Sequence, residues 1–226
     1  MAIRRGILYE FTIVPGASGF LVLTNDQWTA ARSLDVSGAL VYKDPGAGRL
    51  RIPDTDAFAG ELLQIPKDRL VTPLAQLDAD HLLPIEESLC DLLALRELHR
   101  SPPKQPASVP GAIDYPQWSQ IYYASPPEGE PPQNKRRIVV SVDGYNKATR
   151  GAVCVRTTTS PNREGPGFPV LADGTKAVCI LPTFFSERLI RFKPRDGRPV
   201  PSQLFAADMA LVAEGLVDAL DLHHLI

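Results

Sequence analysis

The sequence predicts a mainly β, α+β fold in which one architecture occurs twice: two small barrels or curved sheets, each followed by a helix. Three observations carry this. A proline-rich stretch divides the 226 residues into nearly equal halves. Short apolar runs of the first half return in the same order in the second. Each half then closes on a long pattern with helical spacing.

The dividing stretch is 99–116, "HRSPPKQPASVPGAIDYP", with five prolines. Proline fixes φ and has no amide donor, so this stretch neither continues a helix nor joins a central strand. It reads as an extended linker between a first half, 1–98, and a second, 117–226. Across it, "RRGILYEF" matches "WSQIYYAS", and "GFLVLTNDQWTAAR" parallels "RIVVSVDGYNKATR" as an apolar run, a polar turn with an aromatic, and an Ala-containing piece. "LLQIPKDRLVTPL" parallels "CILPTFFSERLIRF", with Arg69-Leu70 facing Arg188-Leu189. The offset grows only from 113 (Tyr9 to Tyr122) to 119 (Leu70 to Leu189).

The elements follow in order. Ile7–Val14, Phe20–Thr24 and Ala39–Tyr42 read as short strands, as do Ile121–Ala124, Ile138–Val142, Ala152–Thr158 and Ala177–Leu181. The first helix is 84–99, where Ile85, Leu89, Leu92, Leu93 and Leu98 line one face. The second is 202–226, with Leu204, Ala207, Leu211, Val212, Leu216 and Leu220 at helical spacing and Ser202 as N-cap. Such stripes must be buried, most simply against the sheet beside them.

Composition narrows the function. No run of eighteen apolar residues occurs, so no transmembrane helix is expected, and "MAIRRGILYEF" lacks the apolar core and cleavage site of a signal peptide. Cys90, Cys154 and Cys179 are odd in number and widely spaced, which reads as buried thiols in a reducing cytoplasm. The net charge of −2 argues against strong non-specific nucleic-acid binding. Residues 1–113 carry 11 Lys/Arg against 14 Asp/Glu, and 114–226 carry 13 against 12, so only the local cluster Lys135–Arg137 stands out. There is no C-x-x-C, H-E-x-x-H or Walker-type loop, and His223 and His224 are adjacent, about 100° apart on a helix; no metal or cofactor is expected.

With elements in this order, the second half resembles the MazF/PemK (Kid) toxins of the CcdB/MazF superfamily. "QIYYASPPEGEPPQNKRR" is similar to that family's first strand and Gly-containing loop, and "IVVSVDGYNKATRGAVCVRTTTS" to its apolar strand, aromatic-Asn turn and Thr-Ser strand end. The first half follows the same plan, and its 62–95 is similar to the family's final strand and helix. The resemblance implies two SH3-like barrels from a tandem duplication, folded as a single-chain pseudo-dimer. It also implies a toxin-like, metal-independent endoribonuclease acting on single-stranded RNA, with a small antitoxin protein as partner. Its alternative is a non-catalytic interaction protein on the same fold, like the gyrase-poisoning branch.

The family's arginine stabilises charge on the phosphate, a task suited to a planar guanidinium fork, and a threonine holds the phosphate. Counting back from Asn146 puts the arginine position on Lys135; counting forward from Gly129 puts it on Arg136, the favoured position, with Lys135 and Arg137 as electrostatic support. The threonine position falls on Thr158. Glu128 and Glu130 offer a general base from the loop, and Gln64 matches a family glutamine that would complete a composite site across the pseudo-interface. The plainer readings are a solvated lip of three cations and threonines that suit a pleated strand. The first half has Ser18 at the arginine position and "ALVYKDPG" where the threonine strand should end, so its site is expected to be erased. In "AVCILPTFF" apolar residues replace the charged ones that some relatives carry.

Overall fold

A computed structural model of the chain describes residues 3–30, 35–46, 49–96, 115–123, 136–186 and 202–226. It is mainly β, with two curled antiparallel sheets and four helices among those residues. The first sheet uses β1 (Ile7–Glu10), β2 (Ala17–Val22), β3 (Asp35–Tyr42), β4 (Leu50–Arg51), β5 (Phe58–Pro66) and β6 (Pro73–Gln76), with α1 (Asp26–Ala30) after β2 and α2 (Ala79–Leu92) after β6. The second uses β7 (Gln120–Tyr123), β8 (Arg136–Val139), β9 (Gly151–Thr158), β10 (Lys176–Ser186) and β11 (Ser202–Gln203), with α3 (Asp143–Thr149) after β8 and α4 (Ala206–Leu220) after β11.

Strand order is β4-β5-β3-β2-β1-β6 in one sheet and β10-β9-β8-β7-β11 in the other, so apart from β4 the two follow one plan. The correspondence reaches single hydrogen bonds. Gly6 and Ser119, both at positive φ (77° and 67°), donate their amides to Val22 and Val139 respectively. Their carbonyls accept from Leu77 and Leu204. Thr24 Oγ1 accepts from the Ser37 amide at 2.7 Å, as Ser141 Oγ does from Val153 at 2.8 Å. Both long helices end at a left-handed residue, Ala94 (φ 53°) and Asp221 (φ 54°).

Alternation along the strands gives each sheet two apolar faces. One face of both joins α2 and α4 in a shared core, where Leu21, Ala39 and Leu62 meet Ile138, Val153 and Leu216. The other face encloses a smaller cluster: Tyr9, Phe20, Val22, Leu40 and Ile65 in the first sheet, Tyr122, Val139, Cys154 and Phe185 in the second. Gly38 is needed in the first, because a Cβ there would lie 2.1 Å from the Leu21 carbonyl oxygen and 2.6 Å from the Phe20 ring.

The halves also clasp each other. The Asn25 amide at the start of α1 donates to Ala219 in α4, and the Val142 amide at the start of α3 donates to Leu92 in α2, both at 2.9 Å. Trp28 packs edge-on to Phe168 (5.4 Å between centroids) and donates its indole N–H to Asp218. His224 reaches Glu86, whose other carboxylate oxygen takes Arg5.

Several expectations change. The two polar turns are helices, α1 and α3. The first long helix begins at Ala79, five residues before the expected start, because Asp78 caps it by accepting the His81 amide; Pro84 lies inside it. The second begins at Ala206 after Phe205, which makes no side-chain cap, while Ser202 pairs with Ile121 in β11 and so is not the N-cap. His223 and His224 sit in a separate 3-10 turn. Of the expected linker only Tyr115 and Pro116 are described; 99–114 lie outside the described residues, as do Arg188 and Leu189. The three cysteines are buried and free. No described helix is long and apolar enough to cross a membrane.

Candidate functional site

The register of β8 on β9 decides which cations share a face. Arg137 stands opposite Arg156, Ile138 opposite Val155 and Val139 opposite Cys154. Side chains alternate between faces, so Arg137, Arg156 and Thr158 project together toward the second sheet's own cluster. Arg136 projects to the other face. Arg136 and Thr158, expected to meet over one phosphate, therefore stand on opposite faces of the sheet.

Arg136 is also occupied. Its Nη2 lies 2.6 Å from Asp173 Oδ2 and donates to Thr175 Oγ1 at 2.6 Å, with only 20% of the side chain exposed. Burial opposes ionisation of Asp173, but hydrogen bonds from the Thr175 side chain and amide, and then from Arg136, outweigh it and hold the carboxyl below the ordinary carboxylate range. Arg136 thus braces the turn 171–175. Thr158 Oγ1 accepts the Ser160 amide at 3.1 Å, and Thr158 stands opposite Lys176 on β10.

Superposing the two registers identifies what is unusual about the second sheet. Phe20 opposite Leu40 in the first sheet corresponds to Arg137 opposite Arg156 in the second, and Tyr42 corresponds to Thr158. Phe20 is 0% and Leu40 2% exposed, so two guanidiniums occupy what is packed core in the sister sheet. Burial pushes the pKa of both down; repulsion from Arg163 adds to this at Arg156, where Asp35 acts the other way. Arg137 lies 5.4 Å from the Phe185 ring centroid, and Arg163 lies 5.6 Å from that of Phe168. Neither Arg137 nor Arg156 makes an ion pair within 4 Å among the described residues. Like charges directly across a sheet repel, and a half-buried pair without a counter-ion is costly. An anion seated between them removes both penalties.

Gln64, expected at the junction of the halves, is there. It stands opposite Ser37 on β3, donates its side-chain amide to Asp35 Oδ2, and so orients that carboxylate. Ser37 Oγ donates to the Pro182 carbonyl at 3.2 Å, which seats this end of β3 against β10 of the other half. Lys67 donates to the Thr29 carbonyl at 2.5 Å; burial lowers its pKa, opposed by the charge of Asp35. Ser18, at the erased position of the first half, donates to the Val41 carbonyl.

Lys135, Glu128 and Glu130 lie outside the described residues. Arg156 and Asp35 are not legible as site residues from the sequence, since an arginine alternating with Cys154 and Thr158 is ordinary for a strand. The available signal is the repeat itself: aligning the halves sets Arg156 against Leu40 and Asp35 against Gly151. Among the described residues no group of three or more His, Cys, Asp or Glu side chains could hold a metal ion.

The sequence matches no protein-family profile and no curated protein. Two solved structures are similar to about half of it. One is an endoribonuclease from a mycobacterial species in complex with its cognate antitoxin, 19% identical, covering 47% of this chain and 95% of its own, with a TM-score of 0.38. The other is an endoribonuclease from a mycobacterial species, 17% identical, covering 49% and 96%, with a TM-score of 0.38.

Proposed function

We propose that the chain is a tandem-duplicated, single-chain pseudo-dimer on the toxin-endoribonuclease plan, with one RNA-phosphate site in its second half and a filled counterpart in its first. The observation that carries this reading is the exchange of Phe20, Leu40 and Tyr42 for Arg137, Arg156 and Thr158 at equivalent positions. Guanidinium forks match phosphate oxygens, and being more weakly hydrated than an ammonium they tolerate partial burial. The common strand order and the paired crossings Asn25–Ala219 and Val142–Leu92 support duplication. Arg137 and Arg156 stabilise charge on the scissile phosphate, Thr158 holds it, and Arg136 positions the neighbouring turn. Attack by the adjacent 2′-hydroxyl leaves a 2′,3′-cyclic phosphate without a metal. A small antitoxin that covers the cations completes the system.

The test is incubation of the purified protein with long single-stranded RNA in EDTA, beside Arg136→Ala, Arg137→Ala and Thr158→Ala. Cleavage by the wild type, abolished in Arg137→Ala and Thr158→Ala, is the expected result. Intact RNA with every variant ends the enzymatic reading. If expression then still slows growth, the non-catalytic interaction protein takes its place; the closure of Arg136 by Asp173 is the observation that favours it.

A further inference from the structure

We infer that Asp35, contributed by the first half, is the base that takes the 2′-hydroxyl proton; this rests on the ribonuclease reading above. Asp35 opens β3, and the hydrogen bond from Gln64 to its Oδ2 sets the plane of the carboxylate. The bond from Ser37 to Pro182 fixes that end of β3 against the second half. Two cations face the carboxylate, Lys67 from the end of β5 and Arg156 from β9, and its charge acts on both. Arg156 in turn shares its face with Arg137 and Thr158. A phosphate held by the arginines would therefore lie beside a carboxylate of fixed orientation that belongs to the other half. The equivalent residue in the second half is Gly151, which offers no base, and the residue equivalent to Gln64 is Phe184. The base thus comes from the half without the cations.

In the step, the Asp35 carboxylate removes the proton as the 2′-oxygen bonds to phosphorus. The bond from phosphorus to the 5′-oxygen breaks, and its electron pair leaves on that oxygen, which takes a proton from water. The hydroxide so formed recovers the proton from Asp35.

The experiment compares wild type, Asp35→Asn, Asp35→Glu and Gln64→Ala. It measures cleavage of a defined RNA oligonucleotide across pH and binding of its 2′-O-methyl analogue, which lacks the attacking hydroxyl. Asp35→Asn should lower kcat by roughly 10² to 10⁴ fold, with analogue binding unchanged or tighter because a negative charge has gone. Asp35→Glu keeps an ionisable carboxyl and should retain part of the activity. Gln64→Ala removes a hydrogen bond to the carboxylate, so the acidic limb of kcat should move to higher pH with KM little changed. Cleavage at the wild-type rate and pH profile by Asp35→Asn overturns the role of Asp35 and leaves the ribonuclease standing. Failure of that variant to bind the analogue makes Asp35 a binding residue and also overturns it. A wild type that cleaves nothing removes the ribonuclease reading and the base with it.

Discussion

Replacing Arg137 and Arg156 by their first-half equivalents, Arg137→Phe with Arg156→Leu, should stabilise the fold and abolish phosphate binding together. The sister sheet packs these residues at 0% and 2% exposure against Tyr9, Val22 and Ile65. Burying a Phe or Leu side chain contributes about 1.5–3 kcal/mol, part of which the arginine stems already supply. Removing a like-charged cross-strand pair adds a few tenths. A net gain of about 2 kcal/mol follows, which for a chain of this size raises Tm by about 4–8 °C. Each cation withdrawn from a single-strand phosphate flattens the dependence of log affinity on log salt by about 0.7, so two should flatten it by about 1.4. Thermal unfolding and fluorescence anisotropy with a 2′-O-methyl RNA, titrated at several salt concentrations, measure the two effects. A variant that melts earlier and binds with the same salt slope would refute the reasoning: the arginines would then be packed structural residues, not an anion seat.

Three further outcomes are expected. Trp28→Ala removes the packing on Phe168 and the indole hydrogen bond to Asp218, at a cost of about 3 kcal/mol; because the core is shared, urea unfolding should stay a single transition. The folded pKa of Asp173 is depressed, so its contribution to stability is complete above its ordinary value of 3.8 and is lost as pH falls through the lower folded value. Melting from pH 5 to about pH 2 should therefore show an acid-side decline that is weaker in Asp173→Asn. Burial pushes the Cys154 thiol up to about 12 and raises Cys90 and Cys179 as well, so native protein should resist iodoacetamide at pH 8 while urea exposes all three, as counted by mass spectrometry.

The apolar runs of β2, β3, β8 and β9 are legible because alternation and apolar runs are local properties of a strand. The short helices α1 and α3 are not, since five to seven residues are too few for a 3.6-residue period to declare itself. They form because tertiary contacts hold them: Asn25 accepts the Trp28 amide, and Val142 donates to the end of α2. The apolar stripe alone starts α2 at Pro84, where a proline ordinarily marks a boundary; the Asp78 cap lies outside that stripe. At the site, Thr158 and Gln64 are legible by resemblance, but which of three consecutive cations joins Thr158 depends on strand register. Register is set by pairing with β9, which the sequence of β8 alone does not encode. Arg156 and Asp35 emerge only when the halves are compared position by position.

In a homodimer every substitution lands twice, once on each side of the axis, so a gain for chemistry in one subunit is charged to packing in the other. Here Asn25 meets Ala219 and Val142 meets Leu92 in matching geometry, yet each crossing is encoded separately. A change at Val142 leaves Asn25 as it was. The crossings can therefore be tuned one at a time, and one sheet can drift toward a new ligand while its sister goes on anchoring the fold.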